Sequence, residues 1–151
     1  RFPLPRPLKG RKGCDFSFSG LKTALRRCVE TTGALSQTDI DDMAASFQAA
    51  VADVLADRTT NAMRIFSDRH PAPHRLVVAG GVAANEALKT RLTTIAATEG
   101  FSLTAPPAAL CTDNAAMIAW AGVERLQAGM TDGLDFLARA RWPLAELAQP
   151  T

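Results

Sequence analysis

Leu76-Val77-Val78-Ala79-Gly80-Gly81-Val82-Ala83-Ala84-Asn85 is the stretch that decides how this chain folds. Four apolar residues in a row predict a buried strand. Gly80-Gly81 ends it with two residues that lack Cβ, and the spacing beyond predicts a helix from Asn85 to about Ala97. A strand that hands over to a helix through glycines puts backbone amides at the helix start, where a phosphate or a flat ring can rest. Asn85 offers both a donor and an acceptor, which suits a ribose or a base edge. Gly80, Gly81 and Asn85 are therefore candidate nucleotide-binding residues. The plainer reading is an ordinary strand-to-helix turn, with Asn85 a polar residue of the first helical turn.

Downstream, Phe101 to Thr104 reads as a second short strand, and Pro106-Pro107 breaks the chain. A helix from about Asp113 to Leu126 follows, ended by Gly129. Asp113, in Thr112-Asp113-Asn114, is a carboxylate at a helix start that could coordinate a hard metal bridging phosphate oxygens. The competing reading makes it a plain helix cap.

Upstream lies a long amphipathic helix. Ser36 and Thr38 precede Asp39, Asp41 and Asp42, acids suited to the positive end of a helix dipole. Ile40, Met43, Phe47, Val51 and Val54 then recur at steps of three and four, and the helix extends toward Phe66. Before it, Asp15-Phe16-Ser17-Phe18-Ser19 alternates like a short strand, with Ser19 capping a helix that stops at Gly33. His70 and His74 are four apart, but Pro71 and Pro73 prevent a shared helical face, so they read as loop residues and not as a zinc pair.

Strands alternating with helices predict an α/β layer architecture. Residues 1–13, with prolines at 3, 5 and 7, read as an extended basic arm; 14–130 as one lobe; and 131–151 as a tail docking on the body through Trp142-Pro143-Leu144. The charge is uneven: Arg1, Arg6, Lys9, Arg11, Lys12, Lys22, Arg26 and Arg27 face one acid, Asp15, within residues 1–27. Such a front end suits nucleic-acid phosphates, and equally a solvated arm that keeps the protein soluble. Three cysteines, Cys14, Cys28 and Cys111, fit neither a zinc motif nor a disulfide framework, which favours a reducing cytoplasmic setting. Cys111 reads as a small packed residue and not as a nucleophile. No apolar run reaches the ~18 residues of a membrane span. An opening on Arg1, not Met, reads as a start inside a longer protein.

Taken in order, Phe2 to Pro7, Asp15 to Thr23, Asp42 to Leu55, Gly80 to Asn85, Leu110 to Ala119 and Arg141 to Leu147 resemble the TsaD family of tRNA threonylcarbamoyladenosine transferases, once called Gcp glycoproteases. The resemblance covers nearly the whole chain. It implies the C-terminal part of an actin/Hsp70/sugar-kinase (ASKHA) fold, with the N-terminal lobe absent. It also implies a reaction: a threonylcarbamoyl group passes from threonylcarbamoyl adenylate to N6 of the adenosine beside the tRNA anticodon.

By the same resemblance, Asn85 contacts the adenine nucleotide or adenylate beside Gly80 and Gly81. Asp113 ligates a divalent metal, iron foremost, with zinc or magnesium as alternatives. Two histidines of an HxxxH motif in the family's N-terminal half, which this chain lacks, complete the metal set, so the chain alone is expected not to catalyse transfer. Implied partners are tRNA, threonylcarbamoyl adenylate, and accessory proteins that include a pseudo-enzyme paralogue and an ATPase, with no membrane involved. Two other readings stay open. One is a non-catalytic nucleotide-binding or protein-interaction lobe. The other, a metallopeptidase, lacks support from any HExxH helix.

Overall fold

Ser36 and Asp39 start the longest element. The Ser36 hydroxyl accepts from the Asp39 amide at 3.2 Å, and the Asp39 carboxylate accepts from the Ser36 amide at 3.0 Å, a reciprocal capping box. The computed structural model describes residues 1–137 together with Ala140, Arg141 and Pro143. Its helices are α1 (Ser19–Thr32), α2 (Gln37–Ser67), α3 (Glu86–Thr98) and α4 (Ala115–Gln127). Two strands, β1 (His74–Val77) and β2 (Phe101–Thr104), pair in parallel with His74 opposite Phe101. The fold is α/β, combining helices with a small parallel sheet.

The chain divides into two compact units, Arg1–Asp113 and Asn114–Thr151. In the first, α2 is 31 residues and so about 46 Å long. That length lets it serve two separate cores. In its first half, Ala50 packs with Leu21 of α1 and Leu4, joined by Phe18, Leu25, Phe47 and Val51. Near its end, Met63 packs with Ala96 of α3 and Phe101 of β2, joined by Leu76 and Leu103. In the second unit, Asn114 caps α4, its Oδ1 accepting from the Met117 amide at 3.1 Å, and Gly129 follows the helix end at φ 72°.

Four boundaries differ from the sequence reading. Asp15 to Ser19 forms no strand: Ser17 Oγ accepts from the Ser19 amide at 3.4 Å, a local bond that competes with sheet pairing. Ser19 is then the first residue of α1, and Phe18 holds the cap position without a side-chain cap. Strand β1 begins at His74, earlier than Leu76, and is half exposed, with Val77 64% accessible, because only β2 flanks it among the described residues. Helix α4 begins at Ala115, and its cap is Asn114, so Asp113 is not the cap. The docking expected of the tail rests on Trp142 and Leu144, which lie outside the described residues. Among the described residues no helix is long and apolar enough to cross a membrane.

Residues 1–13 lie along α2. Leu4 is buried, Arg1 pairs with Asp39 and Asp42, and Arg6 pairs with Asp53 at 3.2 Å. The strongest clasp is Arg58, 2% accessible on α2, which donates to the carbonyls of Arg11 (2.6 Å) and Gly13 (3.1 Å) and to the Asp57 carboxylate. Asp57 in turn accepts from the Gly10 amide at 3.1 Å. Desolvation pushes the Asp57 carboxyl up, but the Gly10 amide, Arg58 and Lys9 outweigh it, and its pKa ends below the ordinary value.

Arg58→Ala should therefore cost about 3 kcal/mol, since it strips a buried cation and several charge-assisted bonds at once. Urea unfolding, with tryptic cleavage at Arg11 and Lys12, measures this; an unchanged midpoint and cleavage rate would mean the clasp holds nothing.

Acid should loosen the same unit. Asp39, held low first by the Ser36 hydroxyl, and Glu99, held low first by Arg64, join Asp57 below their ordinary values. Depressed carboxylates contribute stability above their unfolded pKa, about 4, and lose it as pH falls through the folded value. Stability should drop below about pH 4. Asp39→Asn should flatten that fall in melts recorded from pH 7 down to 2.5 or so.

Candidate functional site

Parallel pairing puts the C-terminal ends of β1 and β2 at the same end of the sheet, and the Val78 amide extends the ladder to the Thr104 carbonyl at 3.0 Å. From β1 the chain runs into a short helical turn, Gly81–Ala84; from β2 it runs through Pro106-Pro107 into another, Ala108–Leu110. The two turns pack against each other. Gly80, Gly81 and Asn85 thus occupy one loop at this edge, and Asp113 closes the loop beside it. Crevices outside the carboxyl ends of parallel strands are where α/β sheets take their ligands.

Gly80 has φ 77°, a left-handed conformation that disfavours any residue with Cβ; Gly81 has no such φ. A Cβ on either glycine would meet nothing within 4 Å, so the space before this backbone is open to a ligand. Asn85 is the cap of α3, not a residue of its first turn. Its Oδ1 accepts from the Leu88 amide at 3.0 Å, and its Nδ2 donates to Gln48 Oε1, also at 3.0 Å. A cleft of about 400 Å³ opens here, lined by Leu25 of α1, by Phe47, Gln48 and Val51 of α2, and by Asn85 and Leu88. Apolar walls with a few convergent amides suit a flat heterocycle. Gln48 is absent from the sequence reading, because nothing along the chain pairs it with a residue 37 positions away.

Asp113 is exposed, whereas Cys111 beside it is buried, with its thiol 3.5 Å from the Pro106 carbonyl. The donor this loop presents to solvent is a carboxylate oxygen, the ligand type that hard cations take. His74 is a strand residue. Its Nε2 lies 3.0 Å from the His70 carbonyl, which can only accept, so this nitrogen carries the proton and Nδ1 faces Ser67 Oγ at 3.4 Å. The ring stacks on Phe101 with centroids 4.7 Å apart, and Phe66 covers His70 at 4.3 Å. Both histidines pack on aromatic rings. Among the described residues no three His, Cys, Asp or Glu side chains gather to hold a metal.

Known proteins bear on this geometry. The family model described as tRNA N6-adenosine threonylcarbamoyltransferase (TsaD) matches residues 1–120. A protein of that name from Rhodospirillum rubrum is 62% identical across 95% of this chain and 40% of its own length. Its namesakes from Brucella anthropi and Bartonella tribocorum are 55% and 53% identical, each across 99% of this chain and 42% and 43% of their own length. The chain thus spans about two-fifths of the length of the curated relatives it matches. With a family model over most of its residues, and relatives more than half identical along nearly all of them, the chain belongs to the tRNA N6-adenosine threonylcarbamoyltransferase family.

Proposed function

We propose that this chain forms the nucleotide-facing part of a tRNA threonylcarbamoyladenosine transferase, within an actin/Hsp70/sugar-kinase-like fold. The observation that carries this reading is the convergence of Gly80, Gly81, Asn85 and Asp113 on two adjoining loops at the C-terminal ends of paired parallel strands. The ligand is an adenine nucleotide, in turnover threonylcarbamoyl adenylate. Its adenosine lies against the Gly80-Gly81 backbone, with the Asn85 Nδ2 donating to it. In the transfer, N6 of the acceptor adenosine in tRNA bonds to the carbamoyl carbon, the bond from that carbon to the phosphate oxygen breaks, and adenylate departs with the electron pair while N6 gives up a proton.

Asp113 fits one position of a divalent cation, iron foremost and zinc or magnesium as alternatives, because it offers an accessible anionic oxygen. Such a cation, when bound, supplies positive charge to the oxygens of the adenylate. The described residues offer no complete set of ligands, so the others come from outside them. Exposed Arg11, Lys12, Lys22 and Arg27 have no ion-pair partner among the described residues and form the surface for tRNA phosphates; Arg1 and Arg6 are held by acids of α2. The accessory proteins, an ATPase and a paralogue without activity among them, and the cytoplasmic setting complete the reading.

Titration with adenosine tests the nucleotide site, being uncharged and so insensitive to added acid groups. Asn85→Asp keeps an acceptor for the Leu88 amide but removes the donor, and should weaken adenosine binding about tenfold with α3 intact by circular dichroism. A wild-type chain that does not saturate, or equal affinity in the variant, would sink the nucleotide reading.

Transfer itself is tested by placing this chain in the Rhodospirillum rubrum relative in place of its matching segment. The chimera should carry out transfer and the chain alone should not. Asp113→Asn in the chimera should lower transfer by at least ~10–100-fold while sparing adenosine affinity. A folded chimera with full activity despite Asn at this position would remove Asp113 from the metal site.

A further inference from the structure

Asn85 is asked to do two things with one planar group, and Gln48 is what makes them compatible. The Leu88 amide can only donate, so the Asn85 atom facing it is the oxygen, and the Nδ2 end necessarily points the other way. There it meets Gln48, 3.0 Å away, and a nitrogen donor needs an oxygen opposite, which fixes Gln48 with Oε1 toward Asn85. One N–H of Nδ2 is thereby used. The second lies about 120° from it in the same plane, so its direction is set by the two bonds together. The cap pins one end of the amide and Gln48 the other.

With Gln48 gone, the cap alone would leave the group free to swivel about its Oδ1 contact, and the remaining N–H would have no fixed aim. Gln48 comes from α2 and Asn85 from the start of α3, so the bond also spans the cleft whose apolar floor is Leu25, Phe47, Val51 and Leu88. Gln48 itself is an exposed residue of α2, outside both cores. Nothing in the packing needs a glutamine there.

We infer that Gln48 is a positioning residue for nucleotide binding: by accepting from Asn85 Nδ2 it aims the other N–H of that group at the ligand. This rests on the reading of Asn85 as a nucleotide contact. The role needs an acceptor at position 48 and nothing more, and that requirement distinguishes it from direct contact between Gln48 and the ligand.

The test is adenosine titration of the chain carrying Gln48→Leu or Gln48→Glu, beside the wild type and Asn85→Asp. Leu keeps the helix but cannot accept; Glu keeps the length and accepts through its carboxylate but has no amide to donate. Gln48→Leu should weaken adenosine binding about three- to tenfold, the range one hydrogen bond is worth, with the helices intact by circular dichroism. Gln48→Glu should bind within about twofold of wild type, since the acceptor is kept. Wild-type affinity in Gln48→Leu while Asn85→Asp is weakened would overturn this inference and leave the nucleotide site standing. Equal loss in Leu and Glu would also overturn it, because it would mean that the amide of Gln48 touches the ligand itself. Unchanged binding in Asn85→Asp would remove the nucleotide reading, and this inference with it.

Discussion

The parallel pairing of β1 with β2 is the constraint on which the first unit depends. Two parallel strands cannot be joined by a hairpin, so a crossover must return the chain to the starting edge, and α3 is that crossover. The return forces both strands to finish at the same edge, which is why the Gly80-Gly81 turn and the loop that closes on Asp113 are neighbours although 32 residues separate Gly81 from Asp113. A shift of register would move these loops past one another. Stacking of His74 on Phe101, partners across the ladder, fills the opposite end of the pair and makes such a slip costly.

Helix α2 transmits that arrangement along the unit. Its last turns share a core with α3 and β2, and its first half shares another with α1 and Leu4. Gln48 and Arg58 both stand on it, ten residues apart, one reaching the start of α3 and the other the main chain of residues 11–13. Arg64 adds a two-bond contact to Glu99 beyond α3, at 3.0 and 2.7 Å. A single rod therefore sets the distance between the basic front segment and the strand ends. If the rod frays, both move.

Much of this was legible in the sequence for local reasons. Ser36 with Asp39 marks the start of α2, Gly33 and Gly129 mark two helix ends with φ values near 75°, and Asn85 lies one residue from the start of α3. Each is a short-range effect of one side chain on its own backbone. Family membership was legible too, because blocks kept in order carry information that no single motif holds. What was hidden depends on distant partners. The alternation at Asp15 to Ser19 looks like a strand but finds no strand to pair with among the described residues. The buried arginine at position 58 reads as an ordinary helix surface residue until the carbonyls of Arg11 and Gly13 are beside it. The charge excess of residues 1–27 likewise includes Arg1 and Arg6, whose charges are matched by acids more than 35 residues away.

The clasp at Arg58 has a consequence for how this surface can vary. It grips carbonyl oxygens and, through Asp57, an amide hydrogen, all of them main-chain atoms. Side chains at positions 11 and 12 take no part in the anchoring, while the glycines at 10 and 13, with φ of 77° and 84°, shape the path it follows. Evolution can therefore rewrite the outward residues of this segment, reversing charge or altering shape, without loosening its attachment. The segment works as a mount with exchangeable fittings: its outward side chains can change while the scaffold stays fixed.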